Sequence, residues 1–595
     1  MPDVPRSSQF DDVYFSVSDG LAETRHVFLY GNDLPAAWAE RKTFTIFEAG
    51  FGTGLNFLAT WKAFDESKKV GQKLDFISIE KYPLTPDFIK NALGHWRDEL
   101  GDKLDTLCDQ YPPLINGYHR LQITHDVTLT LIFADINEVM PTLNARVDAW
   151  FLDGFTPSKN PDMWTDVLFE NMARLSNKNA SVATFTAAGD VRRALEEAGF
   201  NVQKIKGYGR KREMITGVFK STTTKVDSIT QPIQQNNKSV AIIGAGLAGC
   251  AMGYVLQSYG FKVTLYEREG QVASGASGNN LGFYNPRFTA QRDEVADFFS
   301  FGFSQILSLG RAHGEAFNFD PCGALHLINS PEKEKRFNKM LASWGWDKSQ
   351  MQIVDSKTAS EIAGVEISHD CLYLPQSGSI SPRKLCDFYA RDLDIKYKTN
   401  VINVSDVTED IKIICTAFEV DNFEGFSWLP MEPVRGQISY LKPTEKSKNL
   451  KCNLHYNGYL SRAINGQHSC GSTFQRWLNH RDLLSQDHDA NLDKIMESIP
   501  SLANEQFDVE SGWAGLRTAS QDRFPIVGKM PDRENIYISS AFGSYGIVGT
   551  LAAGHYMADI LRGGAICLPE KTQYALSAQH FLDRIKKKSG QSWQT

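Results

Sequence analysis

The segment SVAIIGAGLAGCAMGYVLQSYGFKVTLYE, residues 239–267, opens as an apolar strand, turns through Gly244, Gly246 and Gly249, runs on as a helix and returns as a second strand ending at Glu267. In that strand-turn-helix-strand setting the GxGxxG spacing suits a dinucleotide. The first glycine permits the tight turn, the second lets the backbone reach a pyrophosphate, the third brings helix against strand, and an acid about twenty residues on takes the ribose hydroxyls. The residues after Glu267 separate FAD from NAD. Arg268 and the glycine- and asparagine-rich turns of SGASGNNLGFYNP (274–286), with Ser274 and Gly282, are of the kind that wraps an extended flavin.

A second glycine turn lies upstream. Thr43 to Ala49 reads as a buried strand leading into Gly50, Gly52 and Gly54 and then a helix from near Asn56, in FEAGFGTGLNF (47–57). This loop lacks the GK[ST] of a phosphate cradle and the spacing of a dinucleotide loop. Glu48, just before it, suits a cationic or amino-bearing ligand. A strand over 74–79 ends at Glu80, placed to accept from both hydroxyls of a ribose, and a strand over 131–134 leads to Asp135. Three acids at successive strand ends, on the edge where open α/β sheets bind ligands, describe an S-adenosylmethionine pocket; the other reading of the glycines is a packing turn. A further strand, 147–152, ends at Asp153 in DGFTPSKNPDMW. Asp153 either caps the next turn or accepts the proton an amine loses on methylation, with Phe155 and Trp164 holding a planar substrate.

Between the two glycine loops, residues 221–238 (STTTKVDSITQPIQQNNK) are polar, lack apolar periodicity and read as a linker. The 595 residues exceed one ordinary core. The expected organisation is a 1–220 methyltransferase domain, the linker, a 239–570 FAD-dependent oxidoreductase domain and a 571–595 basic tail. The FAD-binding parts are placed at about 239–290 and 510–565, with a substrate subdomain between them. The fold class expected is α/β: a Rossmann-like methyltransferase domain plus an FAD-binding domain with an inserted α+β substrate subdomain.

A net charge of −7 gives no general attraction to polyanions, so any nucleic-acid contact falls to local clusters. One is Lys204, Lys206, Arg210, Lys211 and Arg212; the other is Arg584, Lys586, Lys587 and Lys588. Solvated surface charge is the other reading of both. The nine cysteines include no CxxC pair, which argues against a zinc site or a disulfide framework and for a reducing compartment; no metal is expected. The most apolar stretch, 240–256, is short for a membrane span and carries four glycines, and MPDVPRSSQFDD does not read as a secretion signal. The cytoplasm is the expected location.

FDDVYFS (10–16), FEAGFGTGLNF, WFLDGFTPSKNPDMW (150–164) and GYGRKREM (207–214) together resemble the N-terminal half of MnmC, a family of bifunctional transfer-RNA modification enzymes. LPQSGSISPRKL (374–385), EPVRGQISYL (432–441), GWAGLRTASQDRFPIVG (512–528) and SSAFGSYGIVGTLAAGHYMADIL (539–561) resemble the D-amino-acid oxidase and glycine oxidase superfamily, and also the C-terminal half of MnmC. The resemblance implies an FAD-dependent domain that oxidatively removes the carboxymethyl group from 5-carboxymethylaminomethyl-2-thiouridine at the wobble position. The N-terminal domain would then methylate the exposed amine with S-adenosylmethionine.

By that resemblance Arg517, in GLRT, stands where the superfamily binds a carboxylate; a structural ion pair is the other reading. Gly543, Gly546 and Gly549 are expected ahead of a helix whose N-terminus faces the flavin pyrimidine ring. Tyr456, Tyr459 and Tyr545 are either walls of the substrate pocket or plain core. The implied partner is a transfer-RNA anticodon stem-loop, met by Lys206, Arg210, Lys211 and Arg212, with no membrane and no obligate protein partner. Two rivals stay open: a fused glycine-type oxidase and N-methyltransferase acting on free small amines, and an RNA-binding scaffold that keeps its cofactors for stability.

Overall fold

The computed structural model describes residues 5–7, 9–15, 19–209, 211–220 and 238–589. Arg210 and residues 221–237 of the expected linker lie outside the described residues. The chain divides into two compact units, Met1–Gln234 with Asp559–Glu570, and Gln235–Ala558 with Lys571–Thr595.

The first unit is built on an eight-stranded sheet. Its order is Gly117–Gln122, Val127–Phe133, Lys73–Glu80, Thr43–Ala49, Val147–Leu152, Ser176–Thr184, Glu213–Phe219 and Phe200–Lys206. The five strands from Val127–Phe133 to Ser176–Thr184 run parallel, and the three outer strands pair antiparallel. The inner strands TFTIFEA, VTLTLIF and VDAWFL are buried almost throughout, as parallel strands covered on both faces require. Phe44, Ile46, Phe57, Phe76, Leu129 and Phe151 pack their core. From Thr43–Ala49 the chain winds first to one side and later returns on the other at Val147–Leu152. The crevice outside the carboxyl ends of these two neighbours is the switch point where such sheets bind ligands.

The second unit carries two large sheets. Six strands in the order Asp394–Lys396, Lys262–Tyr266, Ser239–Ile243, Ile411–Ile414, Ile536–Ser540 and Ile526–Lys529 form the nucleotide-binding sheet, parallel except for the last. Gly282–Tyr284 and Gly378–Ile380 pair as a small ribbon, and a mixed eight-stranded sheet holds the rest, with Met431–Leu441 and Val509–Ser520 pairing antiparallel at its edge and setting Val434 opposite Arg517. Two expected boundaries move. Val509–Ser520 belongs to the mixed sheet because its backbone pairs along Met431–Leu441, and the nucleotide-binding sheet, which also takes Asp394–Lys396 and Ile411–Ile414 from the expected substrate subdomain, is taken up again at Ile526. The expected basic tail begins instead with helices Glu570–Leu576 and Gln579–Ser589, which dock through Ala578 and Phe581 and tie His580 Nε2 to Asp522 at 2.9 Å.

Candidate active sites

In the first unit the glycine loop closes over the switch point. Gly50 has φ +95°, and a Cβ there would lie 2.6 Å from the Asp153 carbonyl, so only glycine lets the loop press against the neighbouring strand end. Gly54, φ +78°, precedes the helix Leu55–Ser67. A cavity of about 1830 Å³ opens here, lined among others by Gly50, Gly52, Glu80, Asp135, Asp153 and Phe155.

The three acids behave differently. Glu80 accepts from the backbone N–H of Gly52 at 2.9 Å and of Tyr82 at 2.8 Å; burial raises its pKa, and those donors pull it back. Asp135 caps a helical turn through Asn137 and pairs with Lys81 at 2.7 Å; those partners outweigh burial and hold its pKa down. Glu48 is fully buried and does not line the cavity, contrary to its expected place on the donor. Its oxygens accept from Asn56 Nδ2 at 2.9 Å and Ser78 Oγ at 2.6 Å, and burial raises its pKa well above the ordinary value.

Asn56 is the residue that sequence reasoning missed. Its Nδ2 donates both to Glu48 and to Asp153 Oδ2, the latter at 2.6 Å, while Thr24 Oγ1 donates to its Oδ1 at 2.8 Å. The amide orientation is therefore fixed, and with it the Asp153 carboxylate. Burial pushes Asp153 up to about 7, further raised by Glu23 and restrained by Asn56 and Lys211. The available signal was a polar side chain in the first turn of a helix whose next three residues, Phe57, Leu58 and Ala59, are apolar.

Phe155 packs against Phe10 at 4.8 Å and Tyr14 at 5.5 Å. Trp164, expected beside the substrate, instead donates Nε1 to the Phe155 carbonyl at 3.2 Å. Lys211 sits at the rim, paired with Glu23 at 3.1 Å and 4.1 Å over the Phe185 ring. Lys206 and Arg212 are exposed.

In the second unit a Cβ at Gly249 would fall 1.8 Å from the Gly244 carbonyl oxygen, and one at Gly244, φ +101°, would fall 2.8 Å from the Cys415 carbonyl. Helix and strand meet through bare backbone, the cradle a dinucleotide loop requires. Glu267 accepts from the Ala245 and Glu269 N–H groups, both at 2.8 Å, which aims it across the loop. These residues fit FAD. Arg268 is engaged by Glu419 at 2.8 Å; Ser274 Oγ donates to the Gln271 carbonyl; Gly282 pairs with Ile380 in a short strand. Gly543, φ +56°, precedes the helix Gly546–Arg562, whereas Gly546 and Gly549 lie within it.

Arg517 is partly buried. Its Nη2 donates to Ser472 Oγ at 2.9 Å and its Nη1 to the Thr473 carbonyl at 3.5 Å, and among the described residues it forms no ion pair with a carboxylate. Tyr459 lies beside it: burial raises the phenol's pKa and the guanidinium charge pulls it down. Tyr456 is packed in the core of the mixed sheet, and Tyr545 lies 5.1 Å from Phe299.

The folds and sites define a two-enzyme chain, an S-adenosylmethionine-dependent methyltransferase joined to an FAD-dependent oxidoreductase. Residues 239–560 match the FAD-dependent oxidoreductase family and residues 98–220 an S-adenosyl-L-methionine-dependent methyltransferase family. The chain is 36% identical over 648 residues to the tRNA 5-methylaminomethyl-2-thiouridine biosynthesis bifunctional protein MnmC of Chromobacterium violaceum, covering 98% of this chain and 97% of that protein. To the MnmC of Stutzerimonas stutzeri it is 33% identical, covering 98% and 96%. It belongs to the MnmC family. A glycine oxidase structure from Geobacillus kaustophilus shares the fold of the second unit, with a TM-score of 0.51 at 18% identity, covering 57% of this chain and 98% of that one. Among the described residues no helix is long and apolar enough to cross a membrane, and no His, Cys, Asp and Glu cluster could hold a metal.

Proposed function

We propose that this chain completes a wobble uridine of transfer RNA in two steps, removing a carboxymethyl group from 5-carboxymethylaminomethyl-2-thiouridine and then methylating the amine left behind. The observation that carries the reading is Arg517, a partly buried guanidinium without a carboxylate partner among the described residues, in the unit that holds the flavin loop. A planar fork of this kind grips a carboxylate through both oxygens.

With the carboxylate held there, the adjacent CH₂ is oriented for loss of a hydride. FAD held at the Gly244–Gly249 loop and Glu267 would supply the hydride acceptor. The amine N–H sheds its proton as the C=N bond forms; water adds to the imine carbon, the C–N bond breaks, and a two-carbon aldehyde acid leaves the aminomethyl base.

In the first unit Glu80, which lines the cavity, accepts from the ribose hydroxyls of S-adenosylmethionine, which would supply the methyl group. Asp153, aimed by Asn56, takes the proton that frees the amine lone pair. The new N–C bond forms as the S–C bond breaks, and the positive charge passes from sulfur to nitrogen. The cavity exceeds the roughly 300–1,000 Å³ of ordinary small-ligand sites, which leaves room for a splayed-out base beside the donor. Lys206 and Arg212, both exposed, are the basic groups of this segment for RNA phosphates. We assign the chain to the cytoplasm with its RNA substrate.

The discriminating assay compares hypomodified transfer RNA with free glycine and sarcosine. Flavin reduction by the RNA and not by the free amines supports the proposal; the reverse overturns it.

A further inference from the structure

The loop after Ser472 and Thr473, the hydrogen-bond partners of Arg517, has no part in the chemistry above, yet it is firmly built. Phe474 is 51% exposed and Trp477 77%, the latter an unusual position for so large an apolar ring. Arg476 stands 5.8 Å over the Phe474 ring. Arg481, further along, donates to the Ser274 carbonyl at 2.7 Å, within the segment expected to wrap the flavin.

The base of this loop is clamped from beneath. Arg435, fully buried and paired with Asp487, donates to Gln475 Oε1 at 2.6 Å, to Gln437 Oε1 at 2.9 Å and to the Asp482 carbonyl. Arg435 and Gln475 also exchange backbone hydrogen bonds, both 2.9 Å. Gln437 closes the far end, accepting from the Leu484 N–H at 2.9 Å and donating to its carbonyl at 2.8 Å. Apart from Arg435 Nε, which has no hydrogen-bond partner among the described residues, the donors of this clamp are held, and the loop projects its exposed aromatic rings from an anchored base.

We propose that the 474–483 loop is a stacking platform for the single-stranded nucleotides that flank the base held at Arg517. The proposal rests on the function proposed above. Exposed aromatic faces interleaved with guanidinium groups suit bases and phosphates, since each base offers a π-face and each linkage a negative charge. Within this stretch one acid, Asp482, stands against Arg476, Arg481 and His480 and faces His480 at 3.3 Å, while Arg476 also pairs with Glu432 of the strand Met431–Leu441 at 2.9 Å. Leu483, 49% exposed, closes the stretch, and the loop adjoins the carboxylate clamp through Ser472 and Thr473.

The test uses the full-length flavin-loaded protein, an anticodon stem-loop RNA carrying 5-carboxymethylaminomethyl-2-thiouridine, and the same modified nucleoside free in solution. For W477A the KM for the RNA rises about tenfold, and further in F474A/W477A, while kcat on the RNA and both constants on the free nucleoside stay at wild-type values and W477F recovers most of the loss. The proposal is overturned if both alanine variants keep the RNA KM within about twofold of wild type. It is also overturned if the nucleoside KM rises in step, or if the variants differ from wild type in sedimentation, which would make the loop a protein interface. A wild-type protein inert on both substrates removes the proposed function itself, and this proposal with it.

Discussion

Replacing Gly249 with alanine inserts a methyl group 1.8 Å from the Gly244 carbonyl oxygen, where ordinary contact begins at 3.4 Å. The obstacle is backbone on a strand end, not a side chain that can turn aside, so helix Leu247–Ser258 must withdraw by about 1.6 Å. Overpacking of this kind costs about 1–3 kcal/mol, and the gain in helix propensity from glycine to alanine returns about 1 kcal/mol, so the unit still folds. Its glycine loop no longer aligns with the pyrophosphate, and flavin affinity falls by more than about tenfold, the equivalent of about 1.4 kcal/mol. Purified Gly249→Ala is expected to be nearly colourless in the flavin band and inactive on carboxymethylated RNA. It should still methylate RNA bearing the aminomethyl base at the wild-type rate, because that site belongs to the other unit. A variant that purifies with a full complement of flavin would refute the reasoning from the close approach.

Asp153→Asn removes the proton acceptor and should lower methyl-transfer kcat by about 10²- to 10⁴-fold with flavin reduction untouched; single-turnover methylation measures it. In the wild type the acceptor must be ionised, so methyl transfer should climb with pH through about 7 and then level off, as a pH-rate profile on aminomethylated RNA will show. Asn56→Leu takes away the hydrogen bond that favours the Asp153 carboxylate, so the same profile should move to higher pH, whereas an unmoved profile would mean Asn56 only fills space. Arg517→Met should lower kcat/KM for the oxidation by at least about a hundredfold, equivalent to about 3 kcal/mol, while leaving the flavin spectrum intact; stopped-flow flavin reduction reads both.

Much of the fold is legible in the sequence because backbone constraints write themselves as glycines. The loops at Gly50 and Gly244 are places where any Cβ would strike a neighbouring strand, and Glu80 and Glu267 stand at the offsets that sheet geometry imposes. Side-chain networks leave no such trace. Glu48 reads as a ligand on its spacing alone, and only the fold reveals that Asn56 and Ser78 satisfy it beneath the cavity. Lys211 reads as part of a phosphate-binding cluster, but the turn before Glu213–Phe219 carries it to the cavity rim and onto Glu23. The clamp at Arg435 joins residues some forty to fifty positions apart, Gln475, Asp482 and Asp487, a pairing that local pattern does not encode.

Two separate chemistries acting in order on one base are the core of the proposed function. Transfer RNA carrying 5-carboxymethylaminomethyl-2-thiouridine, incubated with the flavin-loaded protein and digested to nucleosides for mass spectrometry, tests this directly. Without S-adenosylmethionine the aminomethyl nucleoside should accumulate, and with it the methylaminomethyl nucleoside should replace it. Survival of the carboxymethylated nucleoside under both conditions would contradict the account.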